Sequence, residues 1–324
     1  MIDGFGRTID YLRLSITDRC NLRCKYCMPE EGIRFISHEE VLTFEEILHL
    51  TELFAKCGIS RIKVTGGEPL VRKGALELMG ALKKISGIGQ VTLTTNGTFL
   101  SGTIEKLAKA QIDGINISLD TLDPQVYKEI TGADCFSEVM EGFYKTLEYQ
   151  DIPLKINCVP LGVKGQNVLE LANLAKNYPV SVRYIEMMPI GMGKQFDYLE
   201  EERLRAELEK YYGTSVAVKK RKGNGPAHYI SFDGFLGSIG FISARSHRFC
   251  DSCNRLRLSS TGYLKTCLQY EEGVDLKGML RAKASDQEIC EKIRKAVQKK
   301  PSGHCFDREK LSQEERHWMA EIGG

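Results

Sequence analysis

Six strand-like segments alternate with helix-like ones between residues 11 and 185, and that alternation leaves the chain few architectures. The pattern predicts strands over 11–16, 62–65, 90–95, 114–119, 154–159 and 180–185, arbitrated from helix by length and periodicity. Thr43-Phe44-Glu45-Glu46 is a capping box that opens a helix. Another helical pattern runs over 75–85, and Asp123-Pro124 supplies an N-cap and a first-turn proline for a third. Alternating strands and helices build a parallel sheet with right-handed crossovers. Six units fall two short of a closed eight-stranded barrel. The expected fold is therefore α/β, an incomplete (β/α)6 TIM-like barrel, with an open doubly wound sheet as the alternative.

Beyond residue 212 the pattern changes. A turn-forming stretch at 221–226 is followed by short strand-like pieces at 227–232, 236–242, 255–258 and 263–267, and by a helix at 285–297. The expected division is a barrel domain over 1–212 and a smaller, mainly β region over 213–324.

The chain of 324 residues carries 45 Lys and Arg against 43 Asp and Glu. A balance so close to neutral argues against a nucleic-acid binder, which normally presents a broad basic surface, and leaves room for a local anion pocket. The apolar runs are too short to span a bilayer. Residues 1–7 show no basic-then-apolar signal, so a cytoplasmic location is expected.

Eleven cysteines are many for a reducing compartment. Cys20, Cys24 and Cys27 form one cluster, and Cys250, Cys253 and Cys267 another. Cys57, Cys135, Cys158, Cys290 and Cys305 stand alone and read as small packing residues. Clustered thiols in such a compartment point to metal. Three closely spaced cysteines can hold three irons of a four-iron cluster and leave one iron open for chemistry. Structural zinc is the alternative for both sets, with His247 near enough in sequence to complete the second. Cys253-Asn254-Arg255-Leu256-Arg257 places two arginines on one face of a strand, where they suit an anionic substrate. A solvated strand edge is the plainer account of the same pair.

Asp18-Arg19-Cys20-Asn21-Leu22-Arg23-Cys24-Lys25-Tyr26-Cys27 resembles the signature of the radical S-adenosylmethionine (SAM) enzymes, and Gly66-Gly67-Glu68-Pro69 resembles their supporting motif. The resemblance implies a [4Fe–4S] cluster on Cys20, Cys24 and Cys27 whose open iron chelates SAM. It places Tyr26, Gly67, Ser118 and Met188 around SAM, at the ends of barrel strands.

Over nearly the whole chain the sequence is similar to the GTP 3′,8-cyclase family, which opens molybdenum cofactor biosynthesis. The segments that carry this are 12–20, 64–70, 93–97, 116–120, 183–188 and 250–257, with the terminal Gly323-Gly324. The similarity implies a second [4Fe–4S] cluster on Cys250, Cys253 and Cys267, with guanine on its open iron. It assigns GTP contacts to Arg13, Lys63, Thr94, Lys155, Arg255 and Arg257, and expects Gly323-Gly324 to enter the same site. It further implies that a SAM-derived radical takes hydrogen from ribose carbon 3′, and that this carbon then attacks guanine carbon 8. An external electron donor and a downstream cyclic pyranopterin monophosphate synthase are the implied partners, the chain itself being a monomer or a homodimer. Two other readings share part of the pattern. Another radical SAM enzyme with an auxiliary cluster would share the first motif. A non-enzymatic iron–sulfur electron carrier would normally offer four cysteines per cluster, where each set here offers three.

Overall fold

The computed structural model describes residues 1–33, 36–219, 223–306, 315 and 317–322. The barrel half runs β1 (Tyr11–Ser15), α1 (Phe44–Lys56), β2 (Arg61–Thr65), α2 (Ala75–Lys84), β3 (Gln90–Thr95), α3 (Leu100–Lys109), β4 (Ile115–Ser118), α4 (Pro124–Thr131), α5 (Phe136–Leu147), β5 (Leu154–Cys158), α6 (Val168–Asn177) and β6 (Ser181–Ile185). The remainder adds α7 (Glu201–Tyr212), β7 (Val216–Ala217), β8 (His228–Ser231), β9 (Ser238–Ile242), β10 (Arg255–Leu258), β11 (Tyr263–Lys265), β12 (Gly273–Asp275), α8 (Leu276–Arg281) and α9 (Asp286–Gln298). Short local signals set many of these boundaries. Thr43 Oγ1 accepts the Glu46 amide at 3.1 Å while Glu46 Oε2 accepts the Thr43 amide at 2.8 Å, so α1 starts where the capping box predicts. Asp123 Oδ1 accepts the Gln125 and Val126 amides and starts α4 the same way.

Among the described residues the strands form one open sheet in the order β12-β11-β10-β1-β2-β3-β4-β5-β6-β9-β8-β7. From β10 through β1–β6 to β9 every pairing is parallel. The six βα units are as expected, and the C-terminal region differs in one important way. It does not hang off the barrel but lengthens it at both edges, β10 pairing with β1 and β9 with β6.

The pleat then sorts side chains into two environments. Leu12, Leu14, Ile62, Val64, Val91, Leu93, Ile115, Ile117, Ile156 and Val182 are all fully buried in the main core cluster, which the surrounding helices share. The alternate residues face inward and are polar: Arg13, Lys63, Thr94, Asn116, Lys155, Asn157 and Arg183 border a common cavity. Filled eight-stranded barrels usually stack apolar layers in this space. A lumen lined with charge is not built for self-packing.

Candidate active site

The first cysteine set occupies the loop that follows β1, at the C-terminal ends of the parallel strands. Two neighbours hold that loop. The Arg23 and Lys25 amides donate to the Thr131 and Ile130 carbonyls at the end of α4, at 2.7 and 2.9 Å. On the other side the Gly67 and Glu68 amides donate to the Thr17 and Arg19 carbonyls, both at 2.8 Å. A Cβ on Gly67 would lie 2.4 Å from the Arg19 carbonyl oxygen, so the approach requires glycine. Glu68 is fully buried and ties this segment to the end of β3. It accepts the Leu70 amide at 2.9 Å, the Thr95 hydroxyl at 2.8 Å and the Asn96 amide at 2.6 Å. Burial still pushes its carboxyl up to about 7, against the pull of those donors.

Several groups address the sulfurs themselves. The Leu22 amide donates to Cys20 Sγ at 3.4 Å, Asn96 Nδ2 approaches the same sulfur at 3.9 Å, and the Ala320 amide bonds to Cys27. Burial, and then the neighbouring thiols Cys27 and Cys20 together with Asp120, push the Cys24 thiol well above its ordinary value. Burial and Cys20 push Cys27 up to about 12. Without metal these thiols stay protonated, and a bound metal reverses that preference. Three thiols, two of them with N–H donors aimed at sulfur, are a donor set that an iron–sulfur cluster takes. Among the described residues no three His, Cys, Asp or Glu side chains gather as ligands of one metal ion would. A four-iron cluster asks instead that each thiol reach a different iron.

The expected SAM-side residues lie at this same end. Tyr26 donates its hydroxyl to Asp120 Oδ2 at 3.0 Å, and Asp120 also accepts the Val159 amide at 2.8 Å. Burial raises the Asp120 carboxyl to about 6, partly offset by these two bonds. Ser118 closes β4, and Met188 sits in the loop after β6. The Asp120 contact was not expected from the sequence, which contains no sign of which polar residue would meet Tyr26.

The second cysteine set lies at the opposite end of the lumen. Cys253 precedes β10, whose first residue Arg255 is level with Tyr11, the first residue of β1. The first set follows the last residue of β1, so one five-residue strand, about 16 Å at roughly 3.3 Å per residue, separates the two. The antiparallel pairing of β10 with β11, Arg257 opposite Lys265, brings Cys267 back beside Cys253. Burial raises the Cys250 thiol, opposed by the His304 amide and helped by Cys267 and Cys253. Burial also acts upward on Cys253, yet the Arg255 and Lys300 charges bring it down to about 7. His247 is not part of this set. It faces Glu201 at 3.5 Å and Glu202 at 3.1 Å. Cys57, Cys158 and Cys290 are buried packing residues, while Cys305 is half-buried with its sulfur 3.7 Å from the Tyr270 hydroxyl.

Between the two ends runs a belt of cations. In register, Arg13 stands beside Lys63 on one side and Arg257 on the other. Lys155 stands beside Asn116, and Asn116 beside Thr94, to whose hydroxyl it donates at 3.1 Å. Arg13, Lys63, Thr94, Lys155 and Arg255 line one cavity, and Arg257 adjoins them through Arg13. Burial, and then the charges of Arg183, Arg13 and Lys155, hold the Lys63 ammonium well below its usual value. Burial, Arg13 and Arg255 do the same to Arg257. Crowded, buried like charges are costly, and an anion among them removes that cost. Arg183 belongs to the belt although the sequence reading omitted it. It lines the cavity, and its guanidinium donates to Asn157 Oδ1 at 2.5 Å. The signal that would have found it is the inward alternation Ser181, Arg183, Ile185 along β6.

The described residues of the tail have contacts near both ends. Glu315 is buried against Lys265 and His317, and its amide donates to the Gln269 carbonyl at 2.6 Å. Five residues on, Ala320 is 1% exposed and its amide meets Cys27 at the other end. Gly323 and Gly324 lie outside the described residues.

Comparisons with known proteins give the family. The radical SAM superfamily model matches residues 14–178, and the model described as Molybdenum Cofactor Synthesis C matches residues 180–306. The chain is 41% identical over 325 residues to a GTP 3′,8-cyclase of Clostridium perfringens (strain SM101 / Type A), and 42% identical over 331 residues to one of Heliobacterium modesticaldum. Both alignments cover all of each chain. Among solved structures, Streptococcus suis SuiB bound to S-adenosylmethionine aligns with a TM-score of 0.60 at 17% identity, covering 92% of this chain and 73% of that one. At that identity the likeness concerns the fold alone. The chain belongs to the radical SAM superfamily and, within it, to the GTP 3′,8-cyclase family.

Proposed function

We infer that the protein converts GTP to 3′,8-cyclo-7,8-dihydro-GTP in molybdenum cofactor biosynthesis. One observation carries the reading: a cation-lined lumen with a set of three thiols at each end. Cys20, Cys24 and Cys27 would hold a [4Fe–4S] cluster with SAM, beside Tyr26, Gly67, Ser118 and Met188. Cys250, Cys253 and Cys267 would hold the second, with the guanine of GTP against it. When bound, the first cluster and SAM supply the 5′-deoxyadenosyl radical that takes hydrogen from ribose carbon 3′.

The rest falls to the chain's own residues. Arg13, Lys63, Thr94, Lys155, Arg255 and Arg257 bind the nucleotide by charge-assisted hydrogen bonds, which are strong where water is excluded. The Glu68 and Asp120 contacts fix the loop and ring on the SAM side, so that the two reactants meet in one orientation. The Gly223–Pro226 loop separates the ≈ 90 Å³ of open lumen from an adjoining cavity of ≈ 720 Å³. Pockets for small ligands run to roughly 300–1,000 Å³, so this loop would move aside on binding. The division at residue 212 is part of the proposal, 1–212 serving SAM and 213–324 the substrate-side cluster. So are a cytoplasmic location, an external electron donor, and delivery of product to cyclic pyranopterin monophosphate synthase. Among the described residues no helix is long and apolar enough to cross a membrane.

The direct test is anaerobic incubation of reconstituted protein with GTP, SAM and dithionite, followed by mass spectrometry. Methionine, 5′-deoxyadenosine and a cyclised GTP should all appear. Deoxyadenosine without cyclised GTP would favour a different radical SAM substrate.

A further inference from the structure

We propose that Lys300 is a positioning residue for the second set of thiols, clamping together the segments that carry Cys253 and Cys267 and fixing a positive charge beside them. The residue lies just past α9 and is 3% exposed. Its ammonium donates to the Arg255 carbonyl at 3.1 Å and to the Thr266 carbonyl. Arg255 is two residues from Cys253, and Thr266 adjoins Cys267. The β10–β11 ladder covers only Arg257–Lys265 and Leu258–Leu264 and stops before reaching either cysteine. Lys300 therefore joins the two segments where backbone pairing has ended.

The residues that follow reach the third thiol. The Arg7 guanidinium donates to the Pro301 and Ser302 carbonyls at 2.6 and 2.8 Å, and to the Cys250 carbonyl at 2.8 Å. Gly303 packs so close to Cys250 that a Cβ there would lie 3.2 Å from its sulfur. One short segment thus touches the surroundings of all three cysteines.

The chemistry of the clamp adds a second role. Both acceptors of the Lys300 ammonium are neutral carbonyls, which take two of its three donors without cancelling its charge. A buried ammonium of this kind calls for a nearby anion, and thiolates bound to iron would provide one. The Arg255 guanidinium, 3.9 Å from Cys253 Sγ, acts from the other side. Fixed charge near a cluster is one of the determinants of its reduction potential.

The inference rests on the second set of thiols holding a cluster, and the test separates the two. The parent is full-length protein carrying Cys20→Ala, Cys24→Ala and Cys27→Ala, reconstituted anaerobically so that only the second site can bind iron. Iron content and the midpoint potential, from an EPR-monitored redox titration, are read in Lys300→Gln, Lys300→Met and Lys300→Arg. Gln keeps donors for the carbonyls and loses the charge, so iron should stay while the potential moves negative. Met loses both and should drop at least half of the iron. Arg should match the parent. Unchanged iron and potential in both Gln and Met would overturn the proposal, as would equal loss in all three. A parent that takes up no iron would sink the two-cluster reading itself, and this inference with it.

Discussion

Cys24→Ala is expected to reduce 5′-deoxyadenosine formation to background while leaving the fold and the second cluster in place. The Cys24 backbone turns the loop, its carbonyl accepting the Cys27 and Met28 amides at 2.9 and 3.2 Å, and the substitution does not touch those bonds. The neighbouring anchors to Thr131 and Ile130 are also backbone contacts. What disappears is one of three thiols at a site where three is the minimum, since the remaining iron must stay open for SAM. Reconstituted iron should fall from about eight to about four per chain, as expected for one four-iron cluster lost of two. GTP binding should persist, because the cations that receive it stand on β1, β2, β5 and β10. Deoxyadenosine above background in this variant would remove Cys24 from the SAM cluster.

The second large effect concerns the belt. Arg257→Met should weaken GTP binding and at the same time spare, or raise, the melting temperature of the GTP-free protein. Arg257 is wedged among like charges, with Arg13 beside it in register and Arg255 two residues away. Methionine keeps much of the length and removes the charge, and with it the repulsion from Arg13 and Arg255. In the complex, the loss of one charge-assisted contact costs about 1.5–3 kcal/mol. At about 1.4 kcal/mol per decade this is roughly a 10- to 150-fold rise in Kd. Calorimetric titration of GTP and a thermal melt of the same preparations give both numbers. Opposite signs for the two effects are the mark of a site that stores unfavourable charge for a ligand. A lower melting temperature with unchanged GTP affinity would make Arg257 a structural residue.

Most of the barrel was readable because its signals are local. Alternation at Leu12, Arg13 and Leu14 shows a strand with one apolar and one polar face, and Thr43 with Glu46 shows where α1 begins. The cysteine spacings and the paired arginines are equally local. The placement of the second site was not, for a definite reason. Arg255 pairs beside Tyr11 across more than two hundred residues, and no periodicity in either segment encodes that partner. From the pattern alone, 213–324 reads as an appendage, whereas β9 and β10 extend both edges of the barrel. The same gap hid Arg183, whose role depends on Asn157 from the next strand, and Lys300, whose partners are two carbonyls that leave no trace in side-chain chemistry. His247 failed as a zinc ligand for a related reason. Proximity to Cys250 in sequence said nothing of Glu201 and Glu202, which hold it elsewhere.

If the lumen holds ribose between the two ends, as proposed, hydrogen leaves carbon 3′ for the SAM-derived radical while guanine is fixed at the other end. Anaerobic turnover of GTP carrying deuterium at carbon 3′ tests it most directly, with mass spectrometry of both products. Deuterium is expected in the 5′-deoxyadenosine and is expected to be absent from carbon 3′ of the cyclised nucleotide. Unlabelled deoxyadenosine alongside GTP that keeps its deuterium would contradict the proposal.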